Sequence, residues 1–349
     1  MKRIAMFQSD FRVGGIQKAL INILNEMDLT QCAVDVYYFD EGNFFELPQH
    51  DNLRFIHLPA YPYWCRFVRF DLLKRLKPIK IDGEYDVAVD FNSYRSECAV
   101  AALSVKAKKR IMWIHNDMEI KLRNEPKYRV LWHFFKGKFK YYDEFAAVSP
   151  GIIGGFRRAT GIENKPVTAI PNHVDTSEIF EKAARPIDLD TDPGCYNLCT
   201  MGRLCHQKGY DLLLGYFAEV KAKRPDMRLY MIGDGPDREK LANQAAGLGI
   251  SDSVFMLGNQ PNPFPYLEKM DGFVLTSRYE GQGIVIREAQ AIGLELFISR
   301  NLEAYNPGIR GYDDIPAALA AAKRREKVRN DLAEYNAEIT SSLKKIFEL

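Results

Sequence analysis

The first half of the chain alternates short apolar runs with longer amphipathic stretches. IAMF opens the series, a stretch from about Ile16 to Met27 has the spacing of a helix, and VDVYYF, LRFIHL, DVAVDF, RIMWIH and EFAAVS follow. The second half repeats the rhythm. It reads YNLCTMGRL, a helix from about Tyr210 to Ala222, RLYMIGDG, a helix from about Arg238 to Leu248, VFMLG, GFVLTS and a helix containing Glu288. Strand-sized apolar runs separated by helical patterns predict βα units stacked on parallel sheets, so the fold class is α/β.

Between the halves, residues 181–194 (EKAARPIDLDTDPG) lack any period and are rich in Pro, Asp and Gly, which predicts a linker region. Asp188, Asp190 and Asp192 imitate the start of a calcium loop, but the position that needs Glu holds Cys199, so a solvated linker is the better reading. The expected domains are residues 1–173, residues 174–330 and a C-terminal helix over 331–349 that returns to the first domain. From Ala317 onward good helix formers and the lack of Pro and Gly predict continuous helix.

Composition narrows the class. A chain of 349 residues with 46% hydrophobic residues has material for two cores. Its formal net charge is +2, so no global field argues for nucleic acid as a partner. The six cysteines are scattered without a CxxC pair, which argues for reduced thiols and against a metal cluster. MKRIAMFQSD has too short an apolar run for a signal peptide and reads as a first strand. No apolar run approaches the length of a membrane span, so the expected location is cytoplasmic.

The chemistry concentrates in loops after strands. FVLTSRYEGQGIVIREAQAIG, residues 273–293, reads as a buried strand, a glycine-containing turn and a helix opening near Gly283. Backbone amides and the positive end of the helix dipole would then face the C-terminal edge of the sheet, where anions bind. Gly281 and Gly283 would let a phosphate approach the backbone. Glu280 and Glu288 are acceptors beside an anion site, which suits the hydroxyls of a sugar and a ribose. Surface acids near a helix start are the other reading. MGRLCHQKGYD, residues 201–211, places Arg203 and Lys208 in a second strand-to-helix loop with Gly202 and Gly209, and two such cations suit a diphosphate.

With these residues in view, 198–293 resembles the C-terminal domain of the family 4 retaining glycosyltransferases of the GT-B type, as found in bacterial polysaccharide or glycolipid synthesis. The matching motifs are Gly202-Arg203-Leu204 with Lys208-Gly209, Ile232-Gly233-Asp234-Gly235-Pro236, and Glu280 to Glu288 followed by Ala289 and Gly293. The N-terminal half resembles the family more weakly, through Gly14-Gly15, through His115, and through VSPGI and IPNHVD at 148–152 and 170–175. After Gly293 the chain departs from the family pattern with LELFISRNLEAYNPGIRGYDD.

The resemblance implies two facing Rossmann-like domains with parallel sheets and an interdomain cleft, the first domain for the acceptor and the second for the donor. His115, Arg203, Lys208 and Glu280 become catalytic candidates. Gly14, Gly15, Gly202, Gly233, Gly281, Gln282, Gly283, Ile284 and Glu288 become donor-binding candidates. The implied reaction moves a sugar, with retention, from a nucleoside-diphosphate sugar, uridine diphosphate favoured, to a saccharide or lipid-linked acceptor. No cofactor is implied, and metal independence is expected because the Asp-rich run lies away from Arg203 and Lys208.

Other readings stay open at this stage. A nucleotide-sugar epimerase of the same fold and a non-catalytic nucleotide-sugar-binding protein both fit the motifs. A nicotinamide dehydrogenase does not, because GDGPDR fails the dinucleotide fingerprint at its last position. Residues 63–80 and 130–142 interleave basic and aromatic residues. They suit either a peripheral contact at the inner face of the cell membrane or ordinary amphipathic helices.

Overall fold

The computed structural model describes residues 1–349, which divide into two compact units: Met1–His173 together with Glu334–Leu349, and Val174–Ala333. The first is built on strands β1 (Lys2–Gln8), β2 (Cys32–Tyr38), β3 (Leu53–His57), β4 (Glu84–Asp90), β5 (Lys106–Ile114), β6 (Glu144–Ala147) and β7 (Val167–Ala169). They lie in the order β3-β2-β1-β4-β5-β6-β7, and every pairing is parallel. Apolar residues fill β1 from Ile4 to Phe7 and β4 from Val87 to Val89 because a parallel sheet covered on both faces leaves no solvent side for polar alternation. The helices are α1 (Gly15–Glu26), α2 (Phe70–Leu76), α3 (Ser96–Ser104), α4 (Met118–Asn124), α5 (Pro126–Phe135) and α6 (Ile153–Thr160).

The second unit contains α7 (Thr176–Ala183), β8 (Tyr196–Met201), α8 (Tyr210–Lys223), β9 (Met227–Ile232), α9 (Arg238–Gly247), β10 (Val254–Gly258), α10 (Phe264–Glu268), β11 (Gly272–Leu275), α11 (Ile284–Ile292), β12 (Glu295–Ser299), β13 (Gly311–Tyr312) and α12 (Ile315–Ala321). Its sheet runs β10-β9-β8-β11-β12-β13, again parallel throughout. Leu198, Leu213, Phe217, Leu229, Val274 and Phe297 lie in one core cluster that binds the sheet to its helices.

Strand order reverses between β1 and β4 in the first sheet and between β8 and β11 in the second. In open parallel sheets the loops at the carboxyl ends of such neighbouring strands diverge to opposite faces and leave a crevice for ligands. The chemistry-bearing motifs sit on these loops.

Two expectations need correction. The linker read at 181–194 begins inside α7, whose N-terminus is capped by the Asp175 carboxylate accepting from Glu178 N at 2.9 Å. The chain passes from the first unit to the second between His173 and Val174, where the expected domains of residues 1–173 and 174–330 divide, and not within 181–194.

The tail is not one helix either. After α12 the chain runs without helix from 322 to 332 before the C-terminal helix, Ala333–Phe347. Acids distant in sequence hold that stretch open: Arg324 pairs with Asp271 at 2.9 Å, Arg325 with Glu295 at 3.1 Å and Arg329 with Glu268 at 3.3 Å. The final helix packs in the first unit, with Ile339, Leu343, Ile346 and Phe347 buried and Phe347 beside Trp113.

Candidate active site

The β8–α8 loop leaves the sheet at Gly202, which has φ of 149°, and re-enters helix at Gly209, with φ of 65°. Both are left-handed conformations that a side chain would strain. At Gly209 sterics exclude one outright, because a Cβ there would lie 2.2 Å from the Thr276 carbonyl oxygen. The loops after β8 and β11 therefore touch backbone to backbone. Thr276 Oγ1 donates to Gly209 O at 3.0 Å, and Arg278 N donates to Gln207 O at 2.8 Å.

That contact brings together residues far apart in sequence. Lys208 Nζ lies 2.6 Å from Glu280 Oε1, and Ser277 Oγ donates to the same oxygen at 2.7 Å. Glu280 is buried, so its charge depends on these partners in place of water. Glu280 Oε2 is left as the second acceptor. Arg203 is exposed and forms no ion pair within the chain. Gly281, Gln282 and Glu288 are buried, while Gly283 is the N-cap of α11. No acid lies in the first turn of α11 and no side chain caps it, so its positive dipole end is not neutralised there.

Gly233 stands differently from its neighbours in the motif list. It has φ of 131°, and a Cβ would meet Gly202 O at 2.2 Å. Gly202 N donates to Ile232 O at 2.9 Å, and Leu204 N to Asp234 O at 3.0 Å. The IGDGP turn thus supports the β8–α8 loop from beneath.

In the first unit Gly14 and Gly15 open α1, which has neither a side-chain cap nor a first-turn acid. Nothing lies within 4 Å of where a Cβ on Gly15 would point. His115 follows directly after β5, with Nε2 at 2.8 Å from Phe91 O. A carbonyl only accepts, so Nε2 carries the proton and Nδ1 remains an acceptor. Burial lowers the imidazole pKa to about 3, against the smaller opposite effect of the Phe91 hydrogen bond. His115 is therefore neutral at physiological pH, which suits it to hydrogen bonding and not to acting as an imidazolium acid.

Two further groups were missed by sequence reasoning. Arg278 grips Asp211 at 2.8 and 2.7 Å and also donates to His206 O at 2.8 Å, tying the loops after β8 and β11 together. Its hydrogen bonds hold the Asp211 carboxyl below the usual range. The signal was present, since Asp211 ends the KGYD run and Arg278 precedes Glu280 by two positions, but nothing local pairs them. Asp10 is the second. Burial alone would raise its pKa, yet hydrogen bonds from Arg12 and Ser9 hold it low. It fixes the glycine loop by accepting from Arg12 N and Gln17 Nε2, each at 3.0 Å.

Known proteins resemble this chain in sequence and in fold. The family described as Glycosyl transferases group 1 matches residues 188–304, and Glycosyltransferase Family 4 matches residues 13–178. An uncharacterised glycosyltransferase of Haemophilus influenzae is 23% identical over 320 residues, which is 85% of this chain and 80% of that protein. The lipopolysaccharide core biosynthesis glycosyltransferase LpsE of Rhizobium meliloti is 31% identical over 137 residues, but these are only 39% of this chain and 38% of LpsE. Among solved structures, Anabaena HepE in complex with UDP-glucose has a TM-score of 0.67 at 17% identity, covering 99% of this chain and 100% of that one. At that identity the likeness is one of fold.

Proposed function

The chain belongs to the GT-B glycosyltransferases, and from that premise we propose that it transfers a sugar, with retention, from a uridine-diphosphate sugar to a saccharide or lipid-linked acceptor. The observation that carries this reading is the meeting of Lys208, Ser277 and Glu280 where the loops after β8 and β11 touch. A cation, an exposed guanidinium at Arg203 and an unneutralised helix N-terminus gather at one edge of the second sheet. Such a site stabilises a departing diphosphate, whose negative charge grows as the bond to the anomeric carbon breaks.

In this reading Glu280 accepts from hydroxyls of the transferred sugar through Oε2, its other oxygen being held by Lys208 and Ser277. Glu288 accepts from the ribose, and the backbone of Gly281, Gln282, Gly283 and Ile284 faces the phosphates. Gly202 and Gly233 shape the loop beside them. Within the first unit, Gly15 stands beside open space, and neutral His115 presents Nδ1 as a hydrogen-bond acceptor. The acceptor oxygen forms its bond to the anomeric carbon on the face the diphosphate leaves, and its proton passes to the leaving phosphate oxygen. No enzymic nucleophile or metal ion enters the scheme.

The same reading places the first unit against an anionic membrane surface. No helix is long and apolar enough to cross a membrane. Yet Tyr63, Trp64, Phe67, Leu72, Leu76 and Val130 are all exposed, and all fall in residues 63–80 and 130–142. Arg66 and Lys77 lie over the rings of Tyr63 and Trp64, so cation and aromatic are presented as pairs. Such pairs suit the headgroup region.

A thermal-shift panel of nucleotide sugars, followed by measured release of the nucleoside diphosphate, tests the proposal. A ligand at 100 times its dissociation constant adds about 2.7 kcal/mol of stability, a readily measured shift. A panel without a stabilising nucleotide sugar contradicts it.

A further inference from the structure

An open cavity of about 640 Å³ lies in the first unit among α4, α5 and α6. Its lining carries Arg123, Arg129, Lys136 and Arg158 against a single carboxylate, Glu119, with His133 alongside. Glu119 orients two of the cations: Oε1 accepts from Arg123 Nη2 at 2.7 Å, and Oε2 from Arg158 Nε at 2.8 Å. Arg129 is held only by neutral groups, donating to the carbonyls of Leu122 at 3.0 Å and Arg123 at 2.9 Å. Its charge meets no carboxylate. The side chains of His133 and Lys136 are exposed and make no hydrogen bond or ion pair within the chain.

Two guanidinium groups oriented by one carboxylate, a third fixed by backbone carbonyls and an unpaired ammonium make a poor cation site and a strong anion site. The excess of positive charge calls for a multiply charged ligand, and guanidinium forks match phosphoryl oxygens. Helix α5 also links the cavity to the exposed aromatic segment: Trp132 and His133 line the cavity, while Phe134 packs on Phe67 with ring centroids 5.9 Å apart.

We propose that this cavity binds a phosphoryl group, supplied by a membrane lipid headgroup or by a soluble phosphorylated ligand. The headgroup source rests on the membrane reading above. The phosphoryl site itself does not.

The test uses the full chain with excess UDP present, so that the donor loops do not compete for the probe. Calorimetric titration with inorganic pyrophosphate supplies the soluble arm, and co-sedimentation with phosphatidylglycerol vesicles, against phosphatidylcholine alone, supplies the membrane arm. Arg129→Gln/Lys136→Gln/Arg158→Gln is expected to weaken the responding arm roughly 100-fold, given about fivefold per basic residue at a lipid surface. Lys136→Glu, at an exposed position whose side chain has no partner, keeps the test independent of folding and is expected to weaken it roughly tenfold or more. UDP affinity should not change in either variant.

Response of pyrophosphate alone supports a soluble ligand, and response of vesicles, or of both arms, supports a headgroup. If the wild type binds neither probe, or if both variants bind as the wild type does, the proposal is overturned. Trp64→Ser/Phe67→Ser separates the two readings. Unchanged vesicle binding in that variant contradicts the aromatic membrane contact while leaving the phosphoryl site standing.

Discussion

Arg278 and Asp211 lie 67 positions apart in sequence and meet through two parallel charge-assisted hydrogen bonds, 2.8 and 2.7 Å long. One residue precedes Glu280 and the other follows Lys208, so the pair sets the distance between the two groups assigned to the donor. Removing one partner leaves the other half-buried without its countercharge, at a cost of about 1–3 kcal/mol. Arg278→Gln and Asp211→Asn should each lower the urea midpoint. The double variant should cost clearly less than their sum, as expected for residues in direct contact. Strict additivity would mean that the brace carries no coupling.

The glycines divide into those that shape the fold and one that stands beside open space. Gly233→Ala places a methyl 2.2 Å from Gly202 O at a φ of 131°. It should destabilise the protein by at least about 2 kcal/mol, the range of strained backbone and overpacking combined. Gly15→Ala meets open space at the start of a helix. It should leave the melting temperature unchanged or slightly raised, because Ala is the better helix former by up to about 1 kcal/mol. Diphosphate release by that variant should nevertheless fall. Full turnover in Gly15→Ala would remove the loop from the site.

His115 makes a prediction with a definite sign. Its pKa is about 3 in the folded chain against an ordinary value of 6.5. Above pH 6.5 neither state binds the proton, and the group has no effect on stability. As pH falls from 6.5 towards 3 the unfolded chain takes up a proton that the folded chain refuses, so stability is lost. The expected slope approaches about 1.4 kcal/mol per pH unit for one proton, less whatever relaxation of the site allows. His115→Gln retains a donor for Phe91 O and should lose less stability than the wild type between pH 6.5 and 4. Parallel curves would show that the imidazole titrates normally.

Metal dependence is a further check on the donor loops. In the proposed reading, Arg203, Lys208 and the α11 terminus supply the positive charge that a divalent ion would otherwise bring to a diphosphate. Turnover should therefore survive chelation with EDTA unchanged. Loss of activity on chelation, restored by manganese, would contradict the assignment.

The βα order and the helix beginning at Tyr210 were legible because they follow from local signals: apolar runs of strand length and the glycine before the helix. The sequence also placed Arg203, Lys208 and Glu280 between a strand and the helix after it, and Glu288 inside such a helix, as the structure has them. The partnerships among them were not legible. Lys208 and Glu280 are 72 positions apart, and only the parallel pairing of β8 with β11 joins their loops. The same limit explains the tail, where helix-forming composition loses to ion pairs made with Asp271, Glu295 and Glu268. His115 was visible as a residue, but its neutral state depends on burial against Phe91, which no local pattern records.

The central claim is that Glu280 serves the transferred sugar and Glu288 the nucleotide. Titration calorimetry of UDP against the wild type, Glu280→Ala and Glu288→Ala, paired with the rate of diphosphate release from the donor sugar, tests it most directly. Glu288 contacts a part of the donor that reaction does not alter, so its variant should bind UDP about tenfold or more weakly, as for a lost hydrogen bond to a charged group. Glu280→Ala should bind UDP nearly as the wild type does while release falls roughly 100-fold or more, the scale of a lost transition-state contact. A Glu280→Ala variant that no longer binds UDP, beside a Glu288→Ala variant that binds it normally, would contradict the account.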